Sequence, residues 1–416
     1  MVDIISPDYN IPELVAPAGD PEKLKIALHY GADAVYVGAT GLNLRAYTSG
    51  FDSNQMKEAV KEVHDKKKKI YIALNVFAHN RQLEYARSYI HDLASLNVDG
   101  FIISDPGVFK IAQDTAPCVP VHLSTQAGVT NSLSAEFWLN QGVKRIVPAR
   151  ELTLCEIEEI RRRVNVELEV FVHGAMCVAY SGRCLISAYL NGKSANRGEC
   201  KQPCRWGYTL TENERPRDPL VIHEEEGESY ILSSRDLNMI EFIPELIKSG
   251  IDAFKIEGRM KGIHYLATVV HAYRNTIDGY LADPEKYSFD PLWQEELNKV
   301  SHRPYHTGFF FGTPQQVDPN EKTSYFADTL LIGIVLDYDP ITNMVIVEQR
   351  NNFKKGDILE VLSSLAKPFS FRVEKILRES GEEVDAAPHA QEVVSIPLNK
   401  ELRPNDILRL KLREEK

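Results

Sequence analysis

The chain has 416 residues, of which 43% are hydrophobic and 26% are charged, as in an ordinary globular protein. Its formal net charge of −11 argues against nonspecific wrapping of nucleic acid, although it leaves room for a local basic site. No apolar run is long enough to cross a membrane, and the start MVDIISPDYNIPELVAPAGD lacks the basic and apolar regions of a signal peptide. These features predict a cytoplasmic protein that makes no membrane contact.

Short β-branched runs alternate with helix-like stretches through the first three-quarters of the chain. Strands that are buried on both faces and alternate with helices indicate a parallel sheet. Eight such units predict a (β/α)8 TIM-like barrel, whereas a doubly wound open sheet is disfavoured because no GxGxxG turn follows the first run. The runs are LVAPAG (14–19), AVYVG (34–38), IYIALNV (70–76), GFIISD (100–105), VHLSTQ (121–126), RIVPAR (145–150), LEVFVHG (168–174) and AFKIEG (253–258).

The unit after the seventh run is interrupted, and the end of the chain has a different pattern. Residues 1–300 are predicted to form the barrel domain, with a cysteine-rich insertion at about 175–235 that includes a hairpin, WGYTLTE…GESYILSSRDL. Residues 301–325 are predicted to be a linker, and the alternating runs of 326–416 predict a small C-terminal all-β barrel. The insertion should therefore lie above the carboxyl-end mouth of the main barrel, where barrel enzymes hold their active sites.

Polar side chains that follow the predicted strands should converge at this mouth. Several are arginines, whose guanidinium forks bind carboxylates and phosphates through two hydrogen bonds. We therefore expect the mouth to bind a small anionic metabolite or a nucleotide phosphate, although each residue could instead belong to a structural ion pair. His122, inside the fifth run, is also compatible with a buried core histidine. The candidate binding residues are Arg45, Asn75, His122, Gln126, Arg150, Arg235 and Arg259.

Four of the six cysteines lie in one segment, Cys177, Cys184, Cys200 and Cys204, with the spacing C-x6-C-x15-C-x3-C. Grouped thiols in a large cytoplasmic protein indicate a metal site rather than disulfides. The spacing does not separate zinc from an iron–sulfur cluster, because Cys200 and Cys204 form a CxxxC pair and no CxxC is present. The segment is locally basic, with five cations against Glu199. The cations are Arg183, Lys193, Arg197, Lys201 and Arg205.

The motifs ELVAPAGDPEKLKIALHYGADAVYVGA, HLSTQAGVTNS, VHGAMCVAYSGRCLISAYLNGKSANRGECKQPCRW, SSRDL and KIEGRMK resemble peptidase family U32, which is often called collagenase-like protease. The resemblance runs from about residue 12 to 280, and the tail is similar to the C-terminal domain of longer members. It implies a [4Fe–4S] cluster on Cys177, Cys184, Cys200 and Cys204, as in the family's ubiquinone-related members. The chain is most similar to the tRNA hydroxylation members of this family.

This resemblance implies an enzyme that contributes to oxygen-independent, prephenate-dependent 5-hydroxylation of the wobble uridine in the tRNA anticodon region. On position alone, His173 and Glu257 are candidates for proton transfer. One alternative is a peptidase with a Cys177–His173 dyad, which would leave three clustered thiols without a role. A second alternative is a noncatalytic RNA-binding protein with structural zinc. A homo-oligomer, or a hetero-oligomer with a family paralogue, is also compatible with the sequence.

Overall fold

The computed structural model places most of the barrel, part of the insertion and nearly all of the C-terminal region. No helix among the placed residues is long and apolar enough to cross a membrane. Within the insertion, the two-residue strand β8 (Glu224–Glu225) pairs with β9 (Glu228–Ser229), and the structure describes only the backbone of these four residues. The predicted hairpin of the insertion lies largely outside the described residues. The described residues are 11–38, 51–177, 179–194, 196, 203, 224–225, 228–229, 235–312 and 327–412.

Eight parallel strands close into a barrel, which confirms the predicted fold class. Each strand pairs with the next along the chain, and the eighth pairs with both the seventh and the first. The strands are almost entirely buried, because helices cover their outer faces and side chains fill the interior. They are β1 (Glu13–Ala18), β2 (Ala34–Gly38), β3 (Lys69–Leu74), β4 (Gly100–Ile103), β5 (Val121–Leu123), β6 (Arg145–Ile146), β7 (Glu167–Ala175) and β11 (Ala253–Ile256).

The helices begin at residues that satisfy their free backbone amides. Asp20 and Asp105 accept hydrogen bonds from the first turns of the helices that begin at Pro21 and Pro106. Thr153 and Glu156 form a capping box at the start of the helix that begins at Leu154. The helices are α1 (Pro21–His29), α2 (Ser53–Asp65), α3 (Asn80–Ala94), α4 (Pro106–Thr115), α5 (Ser132–Asn140), α6 (Leu154–Arg163), α7 (Ile186–Asn191), α8 (Ile243–Lys248), α9 (Ile263–Ala282) and α10 (Pro291–Asn298).

Two short strands extend the barrel sheet beside its seventh strand. β10 (Asp236–Asn238) pairs antiparallel with the end of β7, and β12 (Tyr305–His306) pairs parallel with β10. Asp236 is buried and accepts hydrogen bonds from Arg303 Nε at 3.1 Å and Nη2 at 2.7 Å. This ion pair holds the start of the predicted linker against the barrel, so that part of the linker contributes a strand.

The C-terminal region is all-β, as predicted. Its strands are β13 (Thr329–Asp339), β14 (Met344–Gln349), β15 (Phe353–Lys354), β16 (Ile358–Ser363), β17 (Ala366–Arg372), β18 (Ile376–Arg378), β19 (Glu383–Val384), β20 (Ala386–Ala387), β21 (Val393–Pro397) and β22 (Ile407–Lys411). Eight of them form an antiparallel sheet in the order β17-β16-β22-β13-β14-β21-β18-β19. Strands with alternating buried residues, such as β14, give this region a separate apolar core.

Buried polar contacts join this region to the barrel domain. Tyr30 donates a hydrogen bond of 2.7 Å to the carbonyl of Leu362, and its hydroxyl accepts one of 3.1 Å from the amide of Ile407. The Arg409 side chain is fully buried and pairs with Glu296 of α10. The C-terminal region is therefore packed against the face of the barrel that α1, α9 and α10 cover.

Candidate active site at the barrel mouth

Arg150 is held over the carboxyl end of β7 by three different contacts. Its Nη1 donates a hydrogen bond of 3.0 Å to the carbonyl of Ala175, and its Nη2 lies 3.8 Å from the Glu257 carboxylate. The guanidinium carbon lies 3.7 Å from the centre of the Phe171 ring, which is a close cation–π contact. The side chains of Arg150 and Glu257 are each 15% exposed, so both remain accessible from the mouth.

Arg259 approaches the same region from the segment that follows β11. It is 4% exposed, and its guanidinium carbon lies 6.0 Å from the centre of the Tyr36 ring. The Lys255 ammonium lies 4.6 Å from the Tyr36 ring centre and 5.6 Å from that of Phe171. Tyr36 and Phe171 therefore form an aromatic floor beneath two arginines. The floor was not predicted from the sequence, although both aromatic residues lie inside predicted barrel strands.

A buried ionic layer lies under the aromatic floor, inside the barrel. Glu169 is 0% exposed and accepts from Lys255 Nζ at 2.7 Å and from Arg145 Nη1 at 3.1 Å. Arg145 also pairs with Glu13 at 2.7 Å. Burial opposes ionisation of Glu169, but Lys255 and Arg145 together outweigh it and hold the pKa of this carboxyl at about 2. The layer thus fixes the position of Lys255 beneath the floor.

His122 lies in this ionic layer rather than among the mouth residues. It is 3% exposed, and its ring packs edge-on against Tyr71 at 4.5 Å between centres. Burial and the nearby Arg145 hold its pKa well below the usual range, so the ring is neutral. Its Nδ1 has no hydrogen-bond partner among the described residues. The geometry therefore favours the core-histidine interpretation of His122.

Gln126 is placed at the mouth by the end of β5. Its side-chain oxygen accepts hydrogen bonds from the hydroxyls of Ser104 at 3.1 Å and of Ser124. Asn75 is half-buried directly after β3. Both residues stand at the carboxyl ends of strands, as the sequence predicted.

The two remaining arginine candidates are described to different extents. Arg235 is half-buried, and its carbonyl oxygen accepts a hydrogen bond of 3.1 Å from His306 Nε2. The next residue, Asp236, pairs with Ala175, so Arg235 stands beside the carboxyl end of β7. Arg45 lies outside the described residues.

His173 is turned away from the mouth by a β-bulge. Lys255 pairs with Phe171 but Ile256 pairs with His173, so β7 has one extra residue at this point. The bulge places the His173 side chain on the outer side of the sheet. There the centre of its imidazole ring lies 5.5 Å from the centre of the Tyr273 ring on α9. Burial lowers the pKa of His173 to about 3. Its position does not suit proton transfer at the mouth, in contrast with the sequence-based expectation.

The cysteine-bearing insertion is tied down across several strand ends. Arg183 Nε donates a hydrogen bond of 2.7 Å to the carbonyl of Gln126, after β5. Ser181 donates two hydrogen bonds of 2.6 Å, from its amide and its hydroxyl, to the carboxylate of Glu151, after β6. The Phe77 amide, after β3, lies 3.3 Å from the carbonyl of Asn196. The described part of the insertion therefore overlies the mouth, as predicted.

Two of the four clustered thiols fall within the described residues. Cys177 follows the end of β7 and is exposed, whereas Cys184 is buried and its amide donates to Asn196 Oδ1 at 3.2 Å. Cys200 and Cys204 lie outside the described residues. Within the described ranges, no three His, Cys, Asp or Glu side chains are arranged to hold a metal ion. Cys177 and Cys184 are thus the two predicted ligands that the structure describes, and both belong to the segment that follows β7.

Comparison with known sequences covers both parts of the chain. The model of peptidase family U32 matches residues 19–319, and the model of the U32 C-terminal domain matches residues 328–409. The chain is 43% identical over 403 residues to tRNA hydroxylation protein P1 of Bacillus subtilis (strain 168), an alignment that covers 96% of this chain and 94% of that protein.

Two other relatives are named for different activities, one for collagen cleavage and one for rRNA modification. A collagenase of Porphyromonas gingivalis is 30% identical over 422 residues, which cover 97% of this chain and 99% of that protein. The 23S rRNA 5-hydroxycytidine C2501 synthase of Escherichia coli is 36% identical over 271 residues, which cover 65% of this chain and 40% of that protein. From the extent of these matches, the chain belongs to peptidase family U32.

Proposed function

We propose that this protein is an RNA-modifying enzyme that contributes to the hydroxylation of tRNA. The relative that supports this most strongly is a tRNA hydroxylation protein that is 43% identical over nearly the full length of both chains. A second relative, the rRNA hydroxycytidine synthase, shares the same kind of chemistry on another RNA. The proposed reaction is 5-hydroxylation of the wobble uridine, without molecular oxygen and with prephenate as a co-substrate. Such an enzyme would work in the cytoplasm.

The observation that carries the proposal is the cysteine loop anchored above two arginines on an aromatic floor. Prephenate has two carboxylates, and the guanidinium groups of Arg150 and Arg259 are of the kind that binds such groups through paired hydrogen bonds. Arg150 already has a fixed orientation, because Ala175 and Phe171 hold it in place. A preoriented guanidinium loses less conformational entropy when an anion binds. Gln126, Asn75 and Arg235 would supply further polar groups around the same anion at the mouth.

Cys177, Cys184, Cys200 and Cys204 would hold the proposed [4Fe–4S] cluster. Such a cluster, when bound, supplies one-electron transfer close to the substrate. Cys177 lies two residues beyond the end of β7, the strand that contributes Phe171 to the floor, and Cys184 is hydrogen-bonded to Asn196 within the insertion, which supports this assignment. The local excess of cations in the insertion would offset the negative charge of four thiolates.

Replacing the C5 hydrogen of uracil with a hydroxyl group is a two-electron oxidation. It requires an oxygen donor and an electron acceptor from outside the chain, a proton acceptor, and access to an unstacked base. Nucleotides of an anticodon loop are already available for extrusion into a pocket. Of the two predicted proton carriers, Glu257 faces the mouth and lies 3.8 Å from Arg150. His173 is buried among tyrosines. We therefore assign proton handling to Glu257 alone.

The geometry does not favour the peptidase interpretation, despite the collagenase relative. A cysteine nucleophile needs a nearby base with a pKa close to the working pH. His173 has a pKa of about 3 because it is buried, and its imidazole contacts Tyr273 rather than the exposed thiol of Cys177. No hydrogen bond joins Cys177 and His173 in the part of the chain that the structure describes.

Complementation of a deletion strain tests the proposed function. The strain would express the wild-type chain, Cys184→Ser, Cys204→Ser or, as a matched control, Cys118→Ser, an exposed cysteine outside the cluster. We expect the wild-type and Cys118→Ser chains to restore 5-hydroxyuridine, measured by nucleoside mass spectrometry of tRNA, and both cluster variants to fail. Restoration by Cys204→Ser at equal protein abundance would contradict the cluster and favour a role for Cys177 alone.

A further inference from the structure

The anchored insertion exposes large aromatic and aliphatic side chains to solvent. Tyr189, on α7, is 89% exposed, Tyr180 is 54% exposed and Leu185 is 72% exposed. Single exposed apolar residues are ordinary, but several within one short segment beside a candidate active site mark an interaction surface. We call the segment 179–194 the tyrosine segment.

The tyrosine segment is fixed in position relative to the mouth. Arg183 donates to the carbonyls of Gln126 at 2.7 Å and of Ala127 at 3.2 Å, and Ser181 is bonded to Glu151. Both anchoring residues lie between Tyr180 and Tyr189 in the sequence, and Ser181 is next to Tyr180. The exposed rings are therefore presented from a framework that the barrel strands hold in place, which limits the entropy lost when a partner binds.

The charge of the tyrosine segment favours an anionic partner. It has two cations, Arg183 and the exposed Lys193, and no acidic residue. The wider sequence from 177 to 206 has five cations against one acid, in a chain whose net charge is −11. A surface that combines exposed aromatic rings with positive charge suits single-stranded nucleic acid, because every base offers a face for stacking and every linkage offers a phosphate.

We propose that Tyr180 and Tyr189 are stacking platforms for unpaired nucleotides of the tRNA loop, and that Lys193 contacts the loop's phosphates. This inference rests on the proposed function and deepens it, because it assigns the residues that present the RNA to the mouth. Sequence-specific proteins often bind RNA loops by stacking their splayed bases on aromatic side chains. The anchored position of the segment would place the stacked nucleotides beside the arginines of the mouth.

Binding of tRNA from the deletion strain to the full-length chain tests the inference, with fluorescence anisotropy as the readout. We expect Tyr189→Ala to weaken binding about tenfold, since loss of one stacked base costs this order of affinity. Tyr189→Phe keeps the ring and should bind within about twofold of wild type. The matched control is Phe137→Ala, which removes a ring that is 55% exposed on the outer helix α5 and should leave affinity unchanged.

Salt dependence gives an independent readout of the phosphate contact. Lys193→Gln should reduce the slope of log affinity against log salt by about 0.7, the value for one contact to a single strand. Circular dichroism would verify that every variant is folded. Wild-type affinity in Tyr189→Ala would overturn the inference while leaving the proposed function intact.

Two other outcomes would also contradict the proposal that Tyr180 and Tyr189 stack on RNA bases. If Tyr189→Ala retains tRNA affinity but loses self-association, measured by light scattering, the tyrosine segment is a protein interface. If the wild-type chain itself does not bind tRNA, both the inference and the proposed function fail. Because the wild-type measurement comes first, failure of the proposed function is distinguished from failure of the tyrosine assignment alone.

Discussion

Replacement of the buried Glu169 with glutamine should destabilise the barrel, because the Lys255 ammonium would then be buried opposite a neutral amide. Glu169 is 0% exposed and lies 2.7 Å from Lys255 and 3.1 Å from Arg145. Removing one partner of a buried ion pair costs about 3–5 kcal/mol. Arg145 retains Glu13 at 2.7 Å, so we expect a loss near the lower end, about 3 kcal/mol, in the free energy of unfolding.

Urea denaturation followed by circular dichroism measures this loss. The matched control is Asp65→Asn, which breaks the exposed pair between Lys61 and Asp65, whose side chains are 77% and 61% exposed. That control should leave the free energy of unfolding nearly unchanged, because solvent screens an exposed pair. The double variant Glu169→Leu with Lys255→Met should recover most of the loss, because no buried charge is left unpaired. A loss of under about 1 kcal/mol in Glu169→Gln would refute the ionic layer as described.

Three further predictions concern the same part of the molecule. The pKa of Glu169 falls from 4.5 to about 2 on folding, so its stabilising effect is complete above pH 4.5 and disappears as the pH falls to about 2. The free energies of unfolding of wild type and Glu169→Gln, measured by urea denaturation, should therefore converge between pH 4.5 and about pH 2. Gly174→Ala should lower stability by at least about 1–3 kcal/mol in thermal denaturation, because φ is +102° and the new Cβ would overlap a backbone carbonyl, whereas Gly192→Ala, at φ +64° in open space, should cost less. Arg150→Lys keeps the charge but loses the fork, and should reduce 5-hydroxyuridine in the complemented strain about 10-fold or more; the exposed Arg162→Lys should not.

The barrel could be predicted from the sequence because its determinants are local. Each strand is a short apolar run, and several are followed by a polar residue that caps the next helix, as Asp105 does for α4. Arg150 and Arg259 could be placed at the mouth for a similar reason, since each lies within four residues of a strand end and parallel strands end on one side of the barrel. The aromatic floor is less apparent, because Tyr36 and Phe171 look like ordinary core residues in isolation.

The position of His173 could not be predicted, because it depends on two strands at once. Strict alternation from Glu169 and Phe171 would turn His173 into the barrel, but the bulge between β7 and β11 reverses it. Gly174, with φ at +102°, was the available signal of irregular backbone. The strand β12 was missed for a related reason, since its two residues are held by the distant pair Asp236–Arg303 rather than by a local pattern.

Metal analysis of protein purified without oxygen tests the central claim, that the clustered cysteines hold an iron–sulfur cluster at the mouth. Iron, acid-labile sulfide, zinc and the visible spectrum would be measured on the full-length chain. We predict about four irons and four sulfides per chain, with a broad absorption near 400 nm. Cys184→Ser should lose this absorption, whereas Cys118→Ser should keep it. Stoichiometric zinc without iron would contradict the redox role and leave a structural site in its place.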